Sequence, residues 1–299
     1  ASPYYDFFLI DGDFPSREKG NYRTFGFSSD MPKLNTGNPA VIDYFCGVGA
    51  WWIREFGIDG WRLDVMDEIS DDFLRAFRKA VKAASPDALI LGEAWHDPRA
   101  WLAGDELDGV MNYGLTKALI DYLVDGALTA RQAASRLTRL FFRTTSISAR
   151  MMMNLLDSHD TDRFLTLLRG DRQRLKLALC LLFFFPGMPC VYYGDEIGMT
   201  GGYDPDCRKG FPWDEAKWDT DIRRHVQLLA RLKTGGCLAG DSVRISASGD
   251  VLTLAREKLS LLVNASGRPA RYRFHGREGE IAANGFVILD ADASIIKEE

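Results

Sequence analysis

Three acidic residues stand where candidate β-strands end, and carboxylates in such places can act as acids, bases or nucleophiles. They are Asp64 in "DGWRLDV", Glu93 in "LGEAWHD" and Asp160 in "LLDSHDTDR". A parallel strand buried on both faces is almost entirely apolar, so acidic residues at these strand ends indicate a chemical role. Glycoside hydrolysis supplies one, because it uses one carboxylate at the anomeric carbon and one carboxylic acid that protonates the leaving oxygen.

Arg62 lies two residues before Asp64, so the two side chains share one face of a strand. A guanidinium at that spacing favours the ionised carboxylate, which suits Asp64 as a nucleophile. Glu93 has no cation beside it in the sequence, and the charge of Asp64 across the site favours its protonated form, as a general acid requires. The sequence therefore predicts that the two carboxylates differ in role because their environments differ.

Each of these residues also has a purely structural interpretation. Arg62 and Asp64 could form a buried ion pair, Glu93 could cap the N-terminus of a helix, and Asp160 could cap a helix that starts near Thr161. Carboxylates at three successive strand ends nevertheless favour a common site over three separate structural roles.

Other side chains in the same loops suit sugar binding. His159 can be a core histidine, or, beside Asp160, a donor to a sugar hydroxyl. Trp95 suits stacking on a sugar ring. The remaining aromatic candidates are Tyr192, Tyr193 and Tyr203, of which Tyr192 also suits core packing.

The elements that must position these residues alternate between short β-like runs and helical stretches, which predicts βα units and a parallel sheet. The helical pattern is clearest at 71–84 and 173–185. Beyond about residue 236, short alternating runs indicate a small antiparallel β domain. The predicted strands are 59–65, 88–94, 109–114, 151–158 and 188–194, followed by runs beginning at 243, 250, 259, 270 and 285.

Composition excludes several classes of protein. The 299 residues carry a net charge of −5 without a basic stripe, so nucleic acid is not an expected partner. The longest apolar run, 177–191, contains two prolines and is too short to cross a membrane. The five scattered cysteines form no CxxC pair and no signal peptide is evident, so a cytoplasmic location and no structural metal are expected.

The three acidic motifs together resemble signature regions of the α-amylase family of glycoside hydrolases, in the family's order. The resemblance implies that Asp64 is the nucleophile, Glu93 the general acid/base and Asp160 the third carboxylate, which holds sugar hydroxyls. Arg62 and His159 match the family's accompanying arginine and histidine.

Further segments extend this resemblance. "YYGDEIGMTGGYDPDCRKGFPWDE" (192–215) resembles the segment after the eighth barrel strand, where Asp204 and Arg208 match residues that bind a neighbouring glucose. Trp95 and His96 complete the set of expected substrate-binding residues. "MPKLN" (31–35) and "VMDE" (65–68) are similar to motifs of the neopullulanase, cyclomaltodextrinase and maltogenic amylase subfamily, although Asp67 replaces an asparagine.

The resemblance implies an α/β fold, a (β/α)8 TIM barrel of which strands four to eight are present, followed by an antiparallel all-β domain. The family's first signature has no counterpart here, so a fragment of a longer enzyme is expected. The implied domains are 1–39, the tail of inserted domain B and a linker; 40–236, the second part of the barrel; and 237–299, the C-terminal β domain. The strand at 59–65 would then have an open edge, covered by a missing N-terminal half or by a homodimer partner.

The implied activity is retaining hydrolysis of α-1,4 glucosidic bonds, with α-1,6 bonds as a further candidate, in cyclodextrins, pullulan or malto-oligosaccharides. Transglycosylation follows if a sugar replaces water. No cofactor is required; calcium is compatible with the family, but no EF-hand-like loop indicates it. Two alternatives stay open, namely a non-catalytic carbohydrate-binding fragment and a glucosyl-transferring isomerase such as trehalose synthase.

Overall fold

The computed structural model describes residues 2–26, 28–240 and 242–299. The chain forms two compact units, the first comprising 1–94 and 100–108, and the second comprising 95–99 and 109–299. The predicted domain boundaries at 39/40 and 236/237 remain predictions.

The α-helices of the described residues all lie within the first 236 residues. They are α1 (Pro39–Phe56), α2 (Asp71–Ala84), α3 (Tyr113–Leu119, continued by a π-helical turn at Ile120–Val124), α4 (Ala130–Phe141), α5 (Ser146–Met151), α6 (Phe164–Leu167), α7 (Arg172–Phe184) and α8 (Thr220–Thr234).

In the described residues, five strands of two to four residues precede residue 191 and seven strands of four to six residues follow residue 243. They are β1 (Gly60–Leu63), β2 (Leu89–Gly92), β3 (Gly109–Val110), β4 (Met153–Leu155), β5 (Met188–Cys190), β6 (Arg244–Ser248), β7 (Val251–Ala255), β8 (Leu259–Asn264), β9 (Ala270–Phe274), β10 (Arg277–Ile281), β11 (Gly285–Asp290) and β12 (Ile295–Glu298).

In the first unit, β1 and β2 pair in parallel, in the order strand–helix–strand that the sequence predicts. Gly60 permits this pairing, because a Cβ there would lie 2.1 Å from the carbonyl oxygen of Leu89. The intervening helix α2 has the predicted limits: Ser70 caps its N-terminus, and the apolar stripe that includes Phe73 and Phe77 is buried. The parallel register therefore brings the carboxyl ends of β1 and β2 side by side, so the residues that follow the two strands start at the same edge of the sheet.

The other edge of β1 has no strand partner among the described residues. An open groove of about 480 Å³ runs beside it, with Phe45, Trp61 and Phe73 in its walls. Helix α1 also exposes a cluster of aromatic rings, Trp51, Trp52 and Phe56, with centroids 4.8–5.2 Å apart. The first unit thus leaves both an open sheet edge and an unburied apolar surface, as expected for an incomplete parallel sheet.

In the second unit, β4 pairs in parallel with β5, and a parallel bridge joins Met111 to Met153. The predicted strand at 109–114 is too long: it ends at Val110, because the Asn112 side chain accepts a hydrogen bond from the Leu115 amide and starts α3. Helix α7 is almost completely buried, with limits one residue earlier than predicted.

The C-terminal residues form a five-stranded antiparallel sheet in the order β12-β11-β8-β7-β6, with β9 and β10 as a separate hairpin. The five predicted runs appear as β6, β7, β8, β9 and β11. Strands β10 and β12 were not predicted, because neither shows a clear alternation of apolar and polar residues. The buried side of this sheet shares one apolar core with α7, including Leu261, Phe286 and Ile288.

No helix in the described parts of the chain is long and apolar enough to cross a membrane.

Candidate active site

Arg62 connects the two carboxylates that follow β1 and β2. Its guanidinium contacts a carboxylate oxygen of Asp64, and its Nη2 lies 3.0 Å from Oε2 of Glu93. The strand register explains the approach, since Leu63 lies opposite Gly92 and its carbonyl accepts the Glu93 amide at 2.9 Å. The parallel pairing therefore places Asp64 and Glu93 at the same edge of the sheet, around one cation.

The two carboxylates differ in burial. The side chain of Asp64 is 73% exposed, whereas that of Glu93 is 5% exposed. Glu93 also accepts a hydrogen bond of 3.0 Å from the amide of Val65, which has a left-handed φ of 43°. Such a φ is unusual for a β-branched residue, and here the sharp turn directs this amide to Glu93.

These contacts correct one part of the sequence analysis. Arg62 pairs with both carboxylates, so Glu93 does have a cation beside it. The environments of Asp64 and Glu93 differ in exposure and in the bond from Val65, rather than in the presence of a cation.

The structural interpretations of these residues also fail. Asp64 is exposed, so its pair with Arg62 is not a buried one. No helix begins at Glu93 in the described part of the chain, and α6, which begins at Phe164, has its first amide bonded to Asp157 rather than to Asp160.

In the second unit, Asp160 lies in a network of charged side chains. His159 Nε2 is 3.1 Å from one of its carboxylate oxygens, and Arg208 Nη2 is 3.2 Å from the other. Arg208 Nε lies 2.9 Å from Asp204 and donates to the carbonyl of His159 at 2.8 Å. The structure thus brings four of the predicted residues together, with Asp160, His159, Asp204 and Arg208 all partly exposed. Such a group can accept and donate hydrogen bonds to hydroxyls.

Trp95 stacks on Tyr113, with ring centroids 3.8 Å apart and planes at 11°, and about half of its surface is exposed. The Tyr113 hydroxyl lies 3.1 Å from Ser158 Oγ, one residue before His159. His96 is exposed in the same loop. The ring of Trp95 is therefore held in a fixed plane and is exposed enough to stack on the apolar face of a sugar.

Three buried charged residues lie beneath the loop that carries His159 and Asp160, and the sequence analysis did not single them out. They are Asp157, Arg163 and Asp195, which are 2%, 0% and 5% exposed. Burial raises the pKa of the Asp157 carboxyl, and burial together with the charge of Asp157 raises the pKa of Asp195 well above its usual range. All three residues lie in sequence motifs quoted above, but the motifs alone do not show that these residues are buried.

Among the described residues, no group of three or more His, Cys, Asp or Glu side chains is arranged to hold a metal ion.

The chain is similar to known proteins in both sequence and structure. The sequence profile of the family described as "Alpha amylase, catalytic domain" matches residues 14–234. The chain is 44% identical over 280 residues to a cyclomaltodextrinase of Geobacillus thermopakistaniensis, covering 90% of this chain and 47% of that protein. It is 43% identical over 232 residues to an intracellular maltogenic amylase of Bacillus subtilis, covering 78% of this chain and 39% of that protein.

Among solved structures, the cyclic α-maltosyl-(1→6)-maltose hydrolase of Arthrobacter globiformis in its ligand-free form superimposes with a TM-score of 0.90. The sequence identity is 32%, and the match covers 97% of this chain and 68% of that chain. The chain spans less than half the length of the two curated relatives named above.

Proposed function

Since the chain belongs to the α-amylase catalytic domain family, we propose that it supplies part of the active site of a retaining glycoside hydrolase that acts on α-glucans. The family is one of enzymes, and its fold is a TIM barrel, here followed by a C-terminal antiparallel sheet. We assign β1 to β5 to barrel strands four to eight. The observation that carries the proposal is the pairing of Arg62 with both Asp64 and Glu93 at the ends of adjacent parallel strands.

In the proposed reaction, Asp64 attacks the anomeric carbon while Glu93 protonates the leaving glycosidic oxygen. The glycosyl–Asp64 ester is then hydrolysed by a water molecule that Glu93 deprotonates, which retains the anomeric configuration. The exposure of Asp64 gives it access to a sugar, and the Arg62 guanidinium stabilises its carboxylate. The buried Glu93 is held in position by the Val65 amide and by Arg62, next to the carboxylate that attacks.

The other predicted residues bind the substrate. Asp160 and His159 accept and donate hydrogen bonds to hydroxyls of the sugar that is attacked, while Asp204 and Arg208 contact the next glucose. Trp95, with its ring held by Tyr113, stacks on a sugar face, and the exposed His96 lies in the same loop.

Relatives named cyclomaltodextrinase, maltogenic α-amylase and neopullulanase support the substrate class. We propose cleavage of α-1,4 bonds, with α-1,6 bonds as a second linkage, in cyclodextrins, pullulan or malto-oligosaccharides, and transfer to an acceptor sugar as a side reaction. The chemistry requires no cofactor, and neither nucleic acid nor a membrane is a partner. The cysteines are unpaired, and together with the relative named intracellular maltogenic amylase this supports a cytoplasmic location.

The open edge of β1 and the exposed rings of α1 support a further element of the proposal. A preceding half of the barrel, or a second copy of the protein, covers this surface in the working enzyme.

The test is a proton NMR time course of the chain with maltotriose and β-cyclodextrin, comparing wild type with Glu93→Gln. The first product should be the α-anomer, and Glu93→Gln should lower turnover about 1,000-fold while sugar binding is kept. Glu106→Gln is the matched control, because Glu106 is also a buried carboxyl that pairs with an arginine of the first unit, Arg75.

A β-anomer, or equal turnover by wild type and Glu93→Gln, would refute the mechanism. A folded wild type that binds maltotriose without turnover would favour the non-catalytic alternative for this chain. Formation of trehalose from maltose would favour the isomerase.

A further inference from the structure

Arg163 is fully buried and holds together two loops that are distant in sequence. Its Nε donates to the carbonyl of Cys207 at 3.1 Å, and its Nη1 donates to the carbonyl of Tyr193 at 2.8 Å. The same Nη1 lies 3.0 Å from Oδ1 of Asp195, and the guanidinium lies 4.5 Å from the ring centroid of Tyr192. A guanidinium has a rigid arrangement of donors, so these contacts fix the segment 192–207 relative to Arg163.

The contacts of Arg163 continue directly to the sugar-binding residues. Cys207, whose carbonyl Arg163 holds, precedes Arg208, which reaches Asp160 at 3.2 Å. The Cys207 thiol and the Arg208 Nε both donate to the carbonyl of His159. The loop that carries Asp160 is therefore connected to the buried cluster through the 207–208 backbone.

Asp157 anchors the opposite end of the same loop. Its Oδ2 accepts a hydrogen bond of 2.5 Å from the Phe164 amide at the start of α6, while its Oδ1 has no hydrogen-bond donor in the described part of the chain. The carboxyls of Asp157 and Asp195 interact directly, and a hydrogen bond between them would give this oxygen a donor. Such a bond requires that the two carboxyls share one proton, and with Arg163 charged the buried group is then electrically neutral.

We propose that Asp157, Arg163 and Asp195 form a buried positioning cluster, neutralised by one shared proton, that fixes Asp160 and Arg208 for sugar binding and transition-state stabilisation. None of the three touches substrate. This inference rests on the proposed function, since it assigns the purpose of the cluster from the roles of Asp160 and Arg208.

The test compares Asp195→Asn with Asp195→Ala. The amide of Asn can donate to Asp157 in place of the shared proton, so Asp195→Asn should keep the loop in position. Asp195→Ala removes the donor and leaves Arg163 with one fewer acceptor. The control is Asp121→Ala in the same unit, because Asp121 is also a buried carboxylate, paired with Lys117 and Arg136.

Two readouts separate positioning from stability. The first is the imidazole NMR signal of His159, one of only four histidines, assigned with His159→Gln. The second is the division of the effect between kcat and KM for maltotriose. For Asp195→Ala we expect the His159 signal to move and kcat to fall about 100-fold, a loss typical of a catalytic group displaced by about 1 Å. Asp195→Asn should restore both, and Asp121→Ala should change neither.

The failures are distinguishable. If Asp195→Ala matches Asp121→Ala in both readouts, the cluster has no positioning role. If Asp195→Asn shows the same losses as Asp195→Ala, the shared proton is refuted. If wild type shows no turnover, the proposed function of this chain fails. The positioning role of the cluster is then tested by the movement of the His159 signal alone. If Asp195→Ala does not fold, Arg163→Lys, which keeps the charge but loses the planar set of donors, takes its place with the same expected outcomes.

Discussion

The shared proton of Asp157 and Asp195 predicts a specific dependence of stability on pH. In the unfolded chain both carboxyls have pKa values near 3.8, whereas in the folded protein both pKa values are raised. The folded state therefore holds a proton that the unfolded state has lost once the pH exceeds about 4. Stability is fully present below that pH and falls as the pH rises towards the raised pKa, by about 1.4 kcal/mol per pH unit for one proton.

Asp195→Asn should remove this dependence, because Asn supplies the hydrogen bond without a titrating proton. Relative to wild type, the variant should gain about 1.4 kcal/mol in free energy of unfolding for each pH unit in which the folded pair still holds its proton. The charge of Arg163 and the thiol of Cys190, which lie near the pair, are the same in wild type and in Asp195→Asn. The difference in stability between the two proteins therefore reports on the carboxyl pair. Urea unfolding between pH 4.5 and 7.5, followed by fluorescence of the seven tryptophans, measures the difference. A difference that is independent of pH would refute the shared proton.

Two further predictions concern buried groups of the second unit. Burial lowers the pKa of His225 to about 4 from 6.5, so its neutral form stabilises the protein above pH 6.5, and about 3 kcal/mol of this stability is lost as the pH falls to 4. His225→Gln should abolish that loss in acid urea titrations; an unchanged slope would contradict the assignment. Arg256→Lys should lower the free energy of unfolding by about 3 kcal/mol, because Arg256 donates to the carbonyls of Phe184, Gly240 and Ser242 and lysine cannot reach all three. A urea midpoint within error of wild type would show that these bonds add nothing.

The sequence predicted most reliably those elements whose pattern is local. The limits of α2 follow from an apolar stripe and a capping serine, both visible in sixteen consecutive residues from 70 to 85. The strand at 109–114 was predicted too long because Asn112 can stand in a strand or cap a helix, and only the tertiary context selects the cap. Strand β10 was missed since "REGEI" has an apolar residue only at its end.

In the candidate site, too, local sequence patterns predict some features, whereas others depend on the packed fold. Signature motifs select Asp64, Glu93 and Asp160 as candidates, because glycoside hydrolysis would require carboxylates at such positions. The pairing of Arg62 with Glu93 could not be predicted, because it depends on the register of β1 against β2 rather than on sequence distance. Burial likewise distinguishes Asp157 from Asp160, three residues apart in one motif, and burial is a property of the packed fold.

The core that α7 shares with the C-terminal sheet limits how this protein can be recombined with its relatives. Residues 237–299 form a sheet that could be exchanged as one segment of sequence. However, Leu261, Phe286 and Ile288 of this sheet pack in the same apolar cluster as the residues of α7. Arg256 also binds the carbonyl of Phe184, the last residue of that helix. A chimaera that exchanges the sheet alone would join two surfaces shaped for other partners. The exchangeable segment therefore includes α7, and a crossover point placed before Arg172 keeps this interface intact.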